Sequence, residues 1–405
     1  MALTAVVPGR DVAPGRRITS LWRGPIGYCI RVFVVVRLSL FALGLLAVGL
    51  FTPGGTPGGI PGMAEAPLDG GWNQAITAWQ RADALWYLRI AASGYRADDL
   101  SAAFFPLYPL LTRVVGLATG RHWLLAAYLV SNAAALVALV LLHRLTSLEL
   151  SEAHARRVVV YVCVFPTGFF LFAPYTESLF LALSIGALYA ARRHRWAAAA
   201  VLAALAAATR SPGILLVPAL AVEAVLQARA DPPEWRQLPW RLLAAASGAL
   251  GLIAYLGYWQ RYGGSWRVPL DVQKSGWDKQ LSTPWGAVWG GVRRGLQAVG
   301  GYPGSYFVVD VLVVAVVLAA GVWVAMRMRP TYGVYLWASV LFPLLFTWPD
   351  RPLLSVPRIY LVVFPVYWAL SRLAERWRLH NAVVGVSAGF MALLAAAFVG
   401  RYPLF

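Results

Sequence analysis

Apolar residues run through the chain in stretches of about 14 to 20, each closed by a short polar turn, and that repeat predicts membrane-spanning α-helices. Such stretches lie at 32–51, 122–142, 158–174, 176–191, 196–209, 213–228, 241–258, 306–326, 331–347, 356–371 and 381–399. The expectation is an all-α polytopic membrane protein of about 11 transmembrane helices, a single integral domain over 1–405. Two long segments interrupt the pattern, a first external loop at 52–121 and a second at 259–305. The first opens with a Gly/Pro-rich linker over 52–67. Residues 72–93 follow, with Trp79, Trp86 and Ile90 at helical spacing, and are expected to lie along the membrane interface. The apolar run 104–117 is short and carries Pro106 and Pro109, so it is expected as a half-inserted helix, with a full span as the alternative.

Composition agrees with the pattern. Of the 405 residues 60% are hydrophobic and 13% charged, against roughly 25% charged in soluble domains, which excludes a soluble fold. The net charge of +18 does not indicate nucleic acid, because the 33 arginines, with Lys274 and Lys279, are spread among short loops rather than gathered in a block. Arg10, Arg16, Arg17, Arg23 and Arg31 precede an apolar run too long for a cleavable signal, so 32–51 is expected as a retained first span. With a cytoplasmic N-terminus, 19 basic residues face the cytoplasm against seven acids, and 15 lie outside against ten. That asymmetry makes every short cytoplasmic loop basic and rejects a full span at 104–117, which would invert everything after it. A multi-pass plasma-membrane protein is expected. Cys29 and Cys163 form no disulfide framework or metal cluster.

Ionisable residues close to the outer face then become informative, since each needs a partner or a task. Four places fall on that side: Asp83, the turn Tyr175, Thr176, Glu177, the turn Thr209, Arg210, Ser211, and Asp350, Arg351 through Arg358. Pro174, Pro212 and Gly213 punctuate tight hairpins, which hold these residues at helix ends where free N–H groups can meet an anion. Structural readings stand beside the functional one. Asp83 also suits a helix N-cap, Glu177 a first-turn carboxylate, and Arg210 and Arg358 interfacial anchors. Trp266, Trp277, Trp285 and Trp289 suit an aromatic belt, or sugar stacking by one of them.

These segments carry a resemblance. Arg81, Ala82, Asp83, Ala84, Leu85, Trp86, Tyr87, Leu88, Arg89, then Gly94, Tyr95 and Phe104, Phe105, Pro106, Leu107, Tyr108, Pro109, resemble the first external loop of membrane mannosyltransferases related to phosphatidylinositol-glycan class V, which have a GT-C fold. Phe165, Pro166 with Tyr175, Thr176, Glu177, Ser178 is similar to that family's Phe-Pro and Tyr-Thr-Glu-Ser elements, and Thr209, Arg210, Ser211, Pro212, Gly213 to its Arg-Ser-x-Gly turn. Pro357, Arg358, Ile359, Tyr360 with Phe364, Pro365 is similar to its Arg-Tyr and Phe-Pro segment. The likeness covers roughly 70–370. Ala82 stands where the family usually has Trp, and Ile359 separates Arg358 from Tyr360.

The resemblance implies inverting transfer of a hexose, mannose foremost, from a polyprenyl-phosphate donor to a lipid-linked or envelope glycan acceptor on the outer membrane face. Asp83 is the expected general base. Arg210 and Arg358 are the expected phosphate cations, with Glu177 and Tyr175 beside them and the second external loop contributing Gln273, Lys274, Trp277 or Lys279. No cofactor beyond the lipid-linked donor is expected and no divalent metal is indicated, since Asp98 and Asp99 lack chelating spacing and no Gly-rich phosphate loop is present. The expected partners are the donor, a membrane glycan or glycolipid acceptor and the bilayer. The runner-up is a lipid or glycolipid transporter or flippase, against which stands the one-sided cluster of charges.

Overall fold

The computed structural model describes residues 24–50, 54–68, 71–301 and 304–402. Arg10, Arg16, Arg17, Arg23 and part of the linker at 52–67 lie outside the described residues, as does the Trp277 side chain.

The chain is an α-helical membrane bundle, with two short two-stranded ladders among the described residues. Among the described residues, six helical segments are both long and apolar enough to cross a bilayer: Pro25–Leu50, Trp123–Glu149, Ser211–Ala230, Pro232–Tyr262, Tyr306–Arg327 and His380–Val399. The remaining expected spans are shorter or broken, so the structure does not reproduce eleven uninterrupted spans. The stretch at 158–174 divides into a helix Glu152–Cys163 and a 3₁₀ turn Gly168–Leu171, separated at Pro166, whose ring cannot continue a helix. The stretch at 356–371 divides likewise, into Val356–Tyr360 and Pro365–Arg376. Leu107–Ala118 has 12 residues, about 18 Å, too short to cross.

Helix Glu177–Arg192 is buried along almost its whole length and packs against Trp123–Glu149 and Trp196–Thr209. Alanines of Trp196–Thr209 allow backbones to approach closely. A Cβ on Gly251 would sit 1.9 Å from the Ala204 carbonyl oxygen, and one on Gly213 2.3 Å from the Ala207 nitrogen. This contact fixes the turn that carries Arg210.

The first external loop packs into the protein rather than lying loose on it. Its helix Asp83–Ser93 is buried from Ala84 to Ala91, because aromatic residues cover it on more than one side. Trp86 stacks on Phe104 at 5.5 Å, and Tyr87 meets Phe104 and Tyr108 edge-on. Trp79, just before it, is buried against Phe169 and Phe398. The second external loop folds back onto the chain through Gln280–Leu281, which pairs antiparallel with Phe346–Thr347. Its helix Pro284–Gln297 exposes Trp285 and Trp289, and Trp266 is also exposed, as an aromatic belt requires.

Candidate active site

Three helix starts converge. Asp83 opens Asp83–Ser93, Glu177 opens Glu177–Arg192, and Arg358 lies in Val356–Tyr360. Two of the helices begin after a non-glycine residue at positive φ. Ala82 has φ 49° and ψ −121°, and Ser355 has φ 63°. Such conformations cost roughly 1 to 3 kcal/mol each and persist only where the surroundings impose them. Here they flank the two members of one ion pair. Asp83 is the first helical residue, and Ala82 occupies the cap position without a side-chain bond. The N-cap reading of Asp83 therefore fails.

Arg358 joins two carboxylates. Its Nη1 donates to Asp83 Oδ2 at 2.6 Å and its Nε to Glu177 Oε1 at 2.5 Å. Arg210 Nη1 also donates to Glu177 Oε1, and to Thr176 Oγ1 at 3.1 Å. The Arg358 guanidinium lies 4.5 Å from the Tyr175 ring centroid and 4.8 Å from that of Phe170. The Tyr175 hydroxyl donates to the Arg81 carbonyl at 2.6 Å, tying the turn before Asp83 to the turn before Glu177. Glu177 is fully buried, whereas the Asp83 side chain keeps 30% of its surface. Asp83 is thus the carboxylate of this network that a substrate can reach.

Asp83, Tyr175, Arg210 and Arg358 line one cavity of about 280 Å³, together with Ala82, Tyr87, Phe104, Ser355, Gln273 and Lys279. An adjoining groove of about 1310 Å³ shares Phe105, Ser211, Gln273, Lys279 and Phe346 with it and continues along Leu252 and Leu256. Lys279 comes from the second external loop. Its Nζ sits 4.3 Å from the Phe346 ring centroid and 5.8 Å from Trp348, and reaches Gln273 Oε1 at 3.4 Å. Burial against these rings lowers its ammonium to about 8. Among the described residues no metal-ligating cluster of three or more His, Cys, Asp or Glu side chains is found.

The expected site residues therefore separate into layers. Asp83, Tyr175, Arg210, Arg358 and Gln273 meet at the cavity. Glu177 stands behind it, holding both arginines, and Lys274 lines the groove rather than the cavity. Arg351 is not at the cavity. It makes a two-pronged bond with buried Asp310, both N···O distances 2.9 Å, and anchors the segment leading to Arg358. An acid within the expected span 306–326 was the available signal for that pair.

Residues 29–231 match the family described as Mannosyltransferase (PIG-V). The chain is 34% identical over 170 residues to GPI alpha-1,6-mannosyltransferase 2 of Rattus norvegicus, covering 40% of this chain and 33% of that one. It is 35% identical over 145 residues to the protein of the same name from Mus musculus, covering 33% and 29%. The chain thus spans about a third of the length of the curated relatives it matches. Among solved structures, ArnT from Cupriavidus metallidurans bound to undecaprenyl phosphate is similar over 93% of this chain and 76% of that one, with a TM-score of 0.51 and 14% identity. The apo state of the same protein gives a TM-score of 0.50 at 13% identity. At that identity the likeness shows the fold alone, and it is the GT-C fold.

Proposed function

The chain belongs to the PIG-V mannosyltransferase family, and from that premise we propose that it is an inverting glycosyltransferase moving mannose from a polyprenyl-phosphate donor to a membrane glycolipid or envelope glycan. The observation that carries this reading is the single cavity in which a reachable carboxylate, Asp83, faces cations from three separate parts of the chain, Arg210, Lys279 and Arg358. The acceptor hydroxyl oxygen attacks the anomeric carbon, and the carbon–oxygen bond to the lipid phosphate breaks. The phosphate leaves with the bonding electrons, and the hydroxyl proton passes to Asp83. Arg358 occupies Asp83 Oδ2 and so sets the direction of the carboxylate. The second oxygen is left to take the proton.

Developing charge on the phosphate needs cations or N–H dipoles already in position. Arg210 and Arg358 are committed in part to Glu177, while Lys279 has no carboxylate partner among the described residues. We assign the phosphate to the space between Lys279 and the two arginines, with Gln273 beside it, and the polyprenyl chain to the apolar groove that continues from Phe105 and Phe346 past Leu252 and Leu256. ArnT, of similar fold, was solved bound to undecaprenyl phosphate, a ligand of the chemistry this groove would take. The basic short loops support a cavity on the extracytoplasmic side and an N-terminus in the cytoplasm.

The test is transfer of labelled mannose from polyprenyl-phosphate-mannose to membrane acceptors by the purified protein in bilayers. Transfer supports the reading. Movement of the lipid-linked sugar between leaflets without transfer would instead establish the transporter class.

A further inference from the structure

A second pocket, of about 740 Å³, opens beside a different part of helix Asp83–Ser93 from the catalytic cavity. Leu88 lines this pocket, whereas Asp83 and Tyr87 line the cavity. Its polar lining is Arg37, Gln80, Arg121, His122 and Tyr128, and it holds no Asp or Glu among the described residues. Arg37 stands at the middle of the 26-residue span Pro25–Leu50, where an ionised side chain is expensive unless it is matched. Its guanidinium lies against Tyr128, with the ring centroid 5.1 Å away and the hydroxyl also within its reach. Tyr128 is itself fixed, being buried and donating its hydroxyl to the Ile76 carbonyl at 2.7 Å.

The second cation comes from a tight turn. Gly120 and Arg121 both adopt left-handed backbone, φ 69° and 67°, between helices Leu107–Ala118 and Trp123–Glu149. That turn brings Arg121 and His122 to the pocket from the helix end while Arg37 enters from within the span. The wall below the turn is apolar, with Leu124 half-buried and Leu125 48% exposed. Two arginines and a histidine above an open apolar wall are complementary to a ligand with an anionic head and a hydrocarbon tail. A soluble anion has no use for that wall.

We infer that this pocket binds the headgroup of an anionic glycerophospholipid of the bilayer, with its phosphate between Arg37 and Arg121 and an acyl chain along Leu124 and Leu125. The site is separate from the catalytic cavity and does not depend on the proposed reaction. It also accounts for an arginine placed inside a membrane span with no carboxylate beside it among the described residues.

The experiment measures phosphatidylglycerol and phosphatidylcholine retained by the purified full chain after exchange into mixed bilayer discs, by native mass spectrometry, alongside the melting temperature in each lipid. Wild type should retain phosphatidylglycerol preferentially and melt higher in it. Retention should fall about fivefold in Arg37→Gln and again in Arg121→Gln, the worth of one basic residue against an anionic lipid. Arg376→Gln, an exposed cation at the end of Pro365–Arg376, should match wild type. Arg121 is exposed on a turn, so its variant tests the site even if Arg37→Gln does not fold. Unchanged retention in Arg121→Gln, an equal fall in Arg376→Gln, or equal binding of soluble glycerol phosphate would overturn the inference.

Discussion

Two buried carboxylates each sit between two arginines, and they are finished differently. Glu223 is bound at both oxygens: Oε2 accepts from Arg329 Nε at 2.8 Å and Thr331 at 2.7 Å, and Oε1 from Gln227 at 2.8 Å with Arg192 at 3.6 Å. Arg192 also binds Glu149 at 2.6 Å, to which the Tyr332 hydroxyl donates as well. This network staples four helices together, and Glu223 lines none of the cavities described above. Glu177 receives both of its arginines at Oε1, while Oε2 is buried without a hydrogen-bond partner among the described residues. The first network is complete and structural. The second is incomplete, and it opens through Asp83 and Arg358 into a cavity.

If that contrast is correct, substitutions should divide into those that cost activity and those that cost folding. The largest effect is expected at Asp83. Asp83→Asn should lower turnover by about 10² to 10⁴, with only a small change in melting temperature, because the amide oxygen can still accept from Arg358 and Glu177 still pairs with that arginine. An active variant would make the cavity network structural too. Glu223→Ala should instead cost about 3 to 5 kcal/mol of stability, the usual result of stranding buried partners. Turnover per folded molecule should stay near wild type in a detergent melting assay paired with activity.

Lys279 is the titratable cation of the cavity. On the proposed assignment the phosphate needs the ammonium, so donor affinity should be full below pH about 8 and decline as the pH rises through that value. Asp83, Arg210 and Arg358 face the same cavity, and Asp271, Lys274 and Asp278 face the groove. Lys279→Gln separates its titration from theirs. It should weaken binding of undecaprenyl phosphate about tenfold, the worth of one charge-assisted hydrogen bond, and abolish the alkaline decline. A decline that survives in the variant would assign it to another group. The smallest effect is expected at Ala82, where Ala82→Gly relieves positive φ and should raise stability by at most about 1 kcal/mol.

Much of this was legible in the sequence because membrane topology turns charge into position. Asp83, Tyr175, Arg210 and Arg358 fall on one side by counting spans, and folding brings them to one cavity. The family match over 29–231 contains the first three, while Arg358 and Lys279 come from outside it. Depth within the site was not legible. Glu177 and Asp83 are both carboxylates at helix starts, and the sequence alone does not say that one is fully buried and the other open. Continuity of helices was also obscured, since hydropathy runs through the breaks at Pro166 and Pro365. The Glu223 network went unforeseen because it assembles from acids and arginines that charge counting places together without pairing them. Glu223 itself, inside the expected span 213–228, was the signal.

A single displacement at the anomeric carbon, assisted by Asp83, leaves its signature in the anomeric configuration of the product. Purified protein in bilayers is given polyprenyl-phosphate-mannose of one defined anomer, and the new glycosidic bond is read by NMR. Inversion is predicted, since one attack by the acceptor oxygen passes the proton to Asp83 while the phosphate leaves from the opposite face. Retention would require a sugar–enzyme intermediate or a second displacement, and would rule out direct attack assisted by Asp83.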